Sequence, residues 1–100
     1  GGVVRQYAYS STSSQLVGSI SLPEDVNGEY NFAATDNIFV GHSTGLDRIF
    51  VFTRFPGLQT FSPSLEITPS LGTAATQPPI AIAGNDLIVF SFFYGHGFTR

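Results

Sequence analysis

Two histidines and two arginines carry the most suggestive chemistry in the chain. His42 and His96 each follow a glycine, as Gly41-His42 and Gly95-His96, and each is followed within six residues by an arginine, Arg48 or Arg100. An imidazole and a guanidinium on one loop can hold a carboxylate, a sulfate or a set of sugar hydroxyls through charge-assisted hydrogen bonds. His42, Arg48, His96 and Arg100 are therefore the candidate ligand-binding residues. The plainer alternative is that Gly-His is an exposed turn copied along with a repeat. Ser43, His42 and Asp47 share one loop, but a catalytic triad needs a base ordered between nucleophile and orienting group, and three neighbours on a loop do not supply that. No enzyme is expected. Asp36 and Asp86 stand alone in their turns, so no metal and no cofactor is expected either. Tyr7, Tyr9, Tyr30 and Tyr94 can stack on sugar rings, or can sit at strand ends with the ring buried and the hydroxyl wet. Arg54 reads as a solvated charge, and Glu24, Asp25 and Glu29 as a solvated loop.

These side chains need elements to hold them, and the elements are short and of β type. Period-2 alternation of apolar and polar residues marks strands at 3–9, 15–22, 30–34, 37–41, 48–53, 58–67 with a break near Pro63, 80–83 and 87–94. Between them lie segments rich in Gly, Pro, Asn and Ser, including Gly41 to Gly45, Phe55-Pro56-Gly57 and Gly95-His96-Gly97, which turn the chain. Nothing reads as a helix. The pattern also repeats. FAATDNIFVGH, from Phe32 to His42, returns 49 residues later as AIAGNDLIVF, while VVRQYAYSS, from Val3 to Ser11, returns 43 residues later as LDRIFVFTR. A period of this length built of short strands predicts propeller blades.

The strand faces point the same way. Ile49 and Val51 face one side and Phe50 and Phe52 the other, so this strand needs cover on both. In 15–22, Leu16, Ile20 and Leu22 are expected on one face with Gln15, Val17, Ser19 and Ser21 on the other. A β-sandwich is the alternative fold, although a sandwich leaves alternate residues polar.

Composition narrows the partners. Only 11% of residues are charged, 42% are apolar and ten are Phe, more apolar character than a free chain of 100 residues easily covers. Assembly, or excision from something larger, is the expectation, and a Gly1-Gly2 start without Met fits a processed product. There is no cysteine, so disulfides and zinc-thiolate sites are excluded. A net charge of −3 with only four basic residues gives no stripe for nucleic acid. The longest apolar run is far short of the ~20 residues that cross a bilayer as a helix, and membrane insertion is not expected.

The strings PPIAIAGNDLIVF, RIFVFTR and LQTFSPSLEITPS resemble the FG-GAP repeats of integrin-α-type β-propellers, in their bacterial-style form. Ala81-Ile82-Ala83-Gly84 and Phe32-Ala33-Ala34-Thr35 match the first strand of that repeat. Ile38-Phe39-Val40-Gly41 and Leu87-Ile88-Val89-Phe90 match the second. Ile49-Phe50-Val51-Phe52-Thr53-Arg54 and Gln6-Tyr7-Ala8-Tyr9-Ser10-Ser11 match the third and Leu65-Glu66-Ile67-Thr68-Pro69-Ser70 the fourth. Asp47-Arg48-Ile49-Phe50-Val51-Phe52 is more weakly similar to NHL-type repeats. The family's calcium loop, D-x-D-x-D-G, has no counterpart in Thr35-Asp36-Asn37 or Gly84-Asn85-Asp86. The Trp that opens its outer strand is replaced by Leu58 and Leu16.

The resemblance implies an all-β propeller repeat unit in a permuted frame, with strands lettered C-D-A-B-C-D-A-B. Residues 1–22 form a half blade, 30–68 a full blade and 80–100 a half blade. It implies an extracellular or cell-surface, non-catalytic binding or adhesion scaffold for a protein or carbohydrate. The alternative is a self-assembling structural subunit of a ring, shell or filament. In this frame the apolar strand 87–94 has an open edge. The expected seam pairs Val3, Val4, Tyr7 and Tyr9 of one copy with Leu87, Val89, Phe90 and Phe92 of another. The result is a head-to-tail homo-oligomer, a trimer by preference for about six blades, unless flanking blades of a parent chain fill the edge.

Overall fold

Short apolar runs divided by turn residues fold here into strands alone. The computed structural model describes residues 2–24, 30–43, 45–68, 80–84, 86–90 and 95–99, and contains nine strands and no helix among them. The strands are β1 (Gly2–Tyr9), β2 (Ser14–Leu22), β3 (Asn31–Ala34), β4 (Ile38–Ser43), β5 (Arg48–Thr53), β6 (Ser62–Ile67), β7 (Ile80–Ala83), β8 (Asp86–Phe90) and β9 (Gly95–Thr99). All pairs are antiparallel, in three sheets: β1-β2, then β3-β4-β5-β6, then β7-β8-β9. The chain is all-β.

Local chemistry sets the turns. In the β3–β4 hairpin the Thr35 hydroxyl accepts from the amides of Asn37 (3.4 Å) and Ile38 (3.2 Å), and the Thr35 amide donates to the Ile38 carbonyl at 2.8 Å. This side-chain cap closes the turn with no positive φ at Asp36 or Asn37. The β7–β8 turn does use one, at Gly84 with φ 59°. In β6, Pro63 lies opposite Phe52 where the register with β5 shifts. A bulge tolerates proline because it needs no ladder N–H there. The strand expected over 58–67 runs through Pro63 but begins only at Ser62, because the chain is still turning at Leu58, whose amide donates to the Phe55 carbonyl at 3.1 Å.

The middle sheet separates its two faces by residue type. One face carries Ile38, Val40 and Ile49, packed with Val51, Ile67, Ile80 and Ile82, so it is aliphatic and lies against β7. The other carries Phe50 and Phe52, packed with Phe39, Phe61 and Tyr30, and is covered by Val4, Ile20 and Leu22 of the β1–β2 sheet. The rings form a continuous set, with centroids 5.8 Å apart for Tyr30–Phe32, 5.4 Å for Phe32–Phe39 and 6.0 Å for Phe39–Phe52. Leu22 enters this set over Gly41, where a Cβ would stand 3.3 Å from Leu22 Cδ1 and 3.4 Å from Phe32 Cε1. A strand with both faces covered, as Ile49–Phe52 requires, is what forms.

Three features depart from the sequence expectation. Gly95-His96-Gly97 is not a turn but the start of β9, which pairs with β8 from Phe90↔Gly95 to Asp86↔Thr99. The β8 edge expected to wait for another copy is thus filled within the chain. Second, Leu16 does not share a face with Ile20 and Leu22. The register of β1 and β2 shifts between Gln6 and Tyr7, leaving Val17 without a partner and bringing Leu16 opposite Tyr7 on the exposed side. Third, the repeat relates the two joints of the middle sheet differently. A 45-residue shift maps Ile20 and Leu22 onto Leu65 and Ile67, which share the aliphatic face, yet Ile20 and Leu22 pack on the aromatic face, so unlike faces meet. A 49-residue shift maps Ala33 onto Ile82. Ala33 lies opposite Val40 on the aliphatic face, and Ile82 packs against that same face, so like faces meet.

Candidate functional site

The structure separates the candidate residues. His42 lies inside β4, opposite Asn31 on one side and Ile49 on the other, and is 1% exposed. It is therefore not on an open loop. Ser43 is also buried and lies opposite Arg48. Since alternate residues of a strand point to opposite faces, His42 and Arg48 belong to opposite faces of the sheet and cannot grip one ligand together. Arg48 instead donates from Nη1 to the carbonyls of Asp47 (3.1 Å) and Leu46 (3.4 Å), fastening its own turn. His96 occupies β9 opposite Val89, and Arg100 lies outside the described residues. The two Gly-His pairs are thus not equivalent: one lies inside β4 near its end and the other opens β9. The cause is pairing. β5 begins at Arg48, and β4 remains laddered to it through Ser43.

The same parity separates His42 from Ser43. The Ser43 hydroxyl accepts from the Leu46 amide at 3.1 Å, within a turn where Asp47 takes φ 52°. Ser43, His42 and Asp47 form a structural corner. Asp36 and Asp86 are exposed, and no cluster of three His, Cys, Asp or Glu gathers among the described residues.

Arg54 is the residue whose role the sequence understated. Read as a solvated charge, it binds two loops. Nε donates to the Asp36 carbonyl at 2.8 Å, Nη2 donates to the same oxygen, and Nη1 donates to the Gln59 carbonyl at 3.3 Å. Its guanidinium lies 4.8 Å over the centroid of Phe61. Gln6 Nε2 also donates to Gln59, and Gly18 passes close to Thr60, so the β1–β2 sheet is tied to the same loop.

The tyrosines divide. The Tyr30 hydroxyl donates to the Pro23 carbonyl and its ring stacks on Phe32, so neither part is free for a sugar. Tyr94 lies outside the described residues. Tyr7 and Tyr9 are 52% and 87% exposed, with rings in solvent rather than buried as strand-end tyrosines would be. They share the outer face of β1–β2 with Val3 (60%) and with Leu16 (53%), which pairs with Tyr7. This bare stripe lies on a two-stranded sheet; among the described residues Phe55 (66%) and Leu58 (59%), in the loop after β5, are exposed as well. Leu65 is bare too, 58% exposed beside a groove of about 280 Å³ along β5 and β6, at the bulge.

Of the seam residues, Val3, Val4, Tyr7 and Tyr9 lie in β1, and Leu87, Val89 and Phe90 in β8; Phe92 lies outside the described residues. Val4 packs inward on the aromatic face, so only Val3, Tyr7 and Tyr9 of β1 are available to a partner. Comparison with protein-family models, with curated proteins and with solved structures finds no match.

Proposed function

We propose that the chain is a β-propeller-type repeat module and a non-catalytic binding scaffold, working by docking another protein surface on the outer face of β1–β2. The observation that carries this reading is a contrast of cover: the middle sheet is packed on both faces, while Val3, Tyr7, Tyr9 and Leu16 stand bare on a sheet of the same kind. Exposed apolar groups of this sort mark interaction surfaces, here Tyr7, Tyr9 and Leu16 together, with Val3 beyond the polar pair Arg5 and Ser19. Aromatic anchors supply much of the energy in such contacts. The stacking of unlike faces between β1–β2 and the middle sheet supports the propeller-type frame, because blades stack in that manner. A surface role also agrees with the burial of His42 and Ser43, which removes the reactive set from solvent.

The test is Tyr7→Ser/Leu16→Ser, assayed on an array of proteins and glycans and by calorimetry. Both positions are exposed, so stability should change by no more than about 0.5 kcal/mol while protein binding is lost. Unchanged binding, or binding confined to glycans, would overturn the reading.

A further inference from the structure

β1 exposes an edge as well as a face. Among the described residues it pairs with β2 alone, and none of them pairs along the other side of Gly2–Tyr9. Proteins blunt such edges with lysine, proline, brevity or inward charge. β1 has eight residues, no lysine and no proline, and its one charge, Arg5, is on the exposed face. At the other end of the chain, β8 is bordered by β7 and by β9. β9 has five residues, of which Gly95 and Gly97 contribute no side chain to packing and lose the most backbone entropy on ordering. β1 is longer and carries Val3, Val4, Tyr7 and Tyr9, types that favour strands. β5 beside β4 and β9 beside β8 occupy the same slot of two meanders, and the 43-residue shift makes β1 a third strand of that kind. Three strands compete for two edges.

We propose that β1 of one copy takes the place of β9 beside β8 of another, joining copies head-to-tail by strand exchange. This rests on the reading of β1–β2 as a docking surface and names its partner, a second copy of this chain. The faces set the register. Val4, Ile20 and Leu22 remain on their own middle sheet, so the exchanged β1 must turn Val3 and Tyr7 to the side on which Ile80 and Ile82 pack. Ile80 lies opposite Val89. Tyr7 or Tyr9 opposite Val89 meets the requirement, since directly opposed residues share a face. Ala8 opposite Val89, which the repeat shifts alone would give, turns the wrong face inward. In the required register the bare stripe continues the cover that β7 gives the aliphatic face, extending it toward the exposed Leu65. The stripe and Leu65 thereby meet in one contact.

The chain has no cysteine, so introduced pairs report contact without background. Tyr7→Cys/Val89→Cys or Tyr9→Cys/Val89→Cys should give interchain disulfides on mild oxidation, seen as dimers and larger species on non-reducing gels. Ala8→Cys/Val89→Cys should not. Val89→Cys/His96→Cys joins residues opposed in register and locks β9 in place. Light scattering should then find the locked chain at the mass of one copy where the unmodified chain is larger. An unmodified chain of single-copy mass, or no interchain bridge from any of the three positions, overturns the exchange. Bridging at Ala8 alone keeps the exchange and overturns the bare stripe as its docking face. A locked chain that stays oligomeric overturns the exchange while leaving docking intact.

Discussion

The two faces of the middle sheet use different materials and different covers. On the aromatic side, flat rings are joined by offset and tilted contacts over a broad area, and a two-stranded sheet lies across them with Ile20 and Leu22 pressed in. On the aliphatic side, a small group of β-branched residues is capped by β7, leaving Leu65 bare. The aromatic joint brings unlike faces together, as repetition by stacking demands, and the aliphatic joint brings like faces together, as the halves of a sandwich do. One repeated sequence thus builds two kinds of joint. Side-chain size differs between them: rings fill the aromatic joint except at Gly41, where Leu22 enters, whereas the aliphatic face has the small Ala33 opposite Val40. The exposed stripe on β1–β2 extends the first kind of joint, since it is the repeat counterpart of the aromatic face.

The largest test of this contrast removes one side chain from each face. Phe50→Ala should cost about 3–5 kcal/mol and Ile49→Ala about 2–5 kcal/mol in chemical denaturation, because both are buried and sit at the centre of their clusters. Ile49 and Phe50 adjoin in β5, so additivity is tested with Ile38→Ala and Phe50→Ala, which lie on opposite faces with Ile38 three residues from Gly41, the partner of Phe50; this pair should be additive within about 0.5 kcal/mol. Strong coupling would mean that the two joints form one core and that the contrast is false.

A smaller test concerns the close approach at Gly41. Gly41→Val should cost about 1–3 kcal/mol, since a branched side chain there meets Leu22 and Phe32. Adding Leu22→Ala makes room, so the pair should cost less than the sum of the singles. Simple additivity, read from the same denaturation curves, would show that Leu22 is not what keeps that position small.

Much of this was legible in the sequence, for definite reasons. Alternation in Ile49–Phe52 announced burial on both faces, and the turn residues around each apolar run located eight of the nine strands. β9 was not legible, because Gly-His-Gly has the composition of a turn and becomes a strand only by pairing with β8. The exposure of Leu16 was hidden by the bulge at Val17, which reverses the face of everything on its far side. His42 was misplaced for the same kind of reason: whether a strand ends at Gly41 or continues to Ser43 depends on how far its neighbour runs. Of the candidate site, Tyr7 and Tyr9 were visible as residue types but not as a bare face, since exposure is a property of the cover and not of the strand.

The smallest effect belongs to the rim of the aromatic face. Arg54 stacks on Phe61, whose ring stands 6.3 Å from Phe39, and the same guanidinium holds the carbonyls of Asp36 and Gln59. It therefore joins the β3–β4 turn, the loop after β5 and the aromatic cluster. Each such bond is worth about 1 kcal/mol net and the exposed stacking about 0.5–1 kcal/mol, and solvent reaches part of the group. Arg54→Gln should accordingly lower stability by about 1 kcal/mol, well below the loss at Phe50. Arg54→Lys separates the causes. A lysine keeps the charge over Phe61 but lacks the planar fork that reaches two carbonyls at once, so it should recover less than half of the loss. Full recovery with lysine would assign the effect to charge over the ring, and no loss with glutamine would make the rim of the aromatic face as expendable as an exposed surface residue.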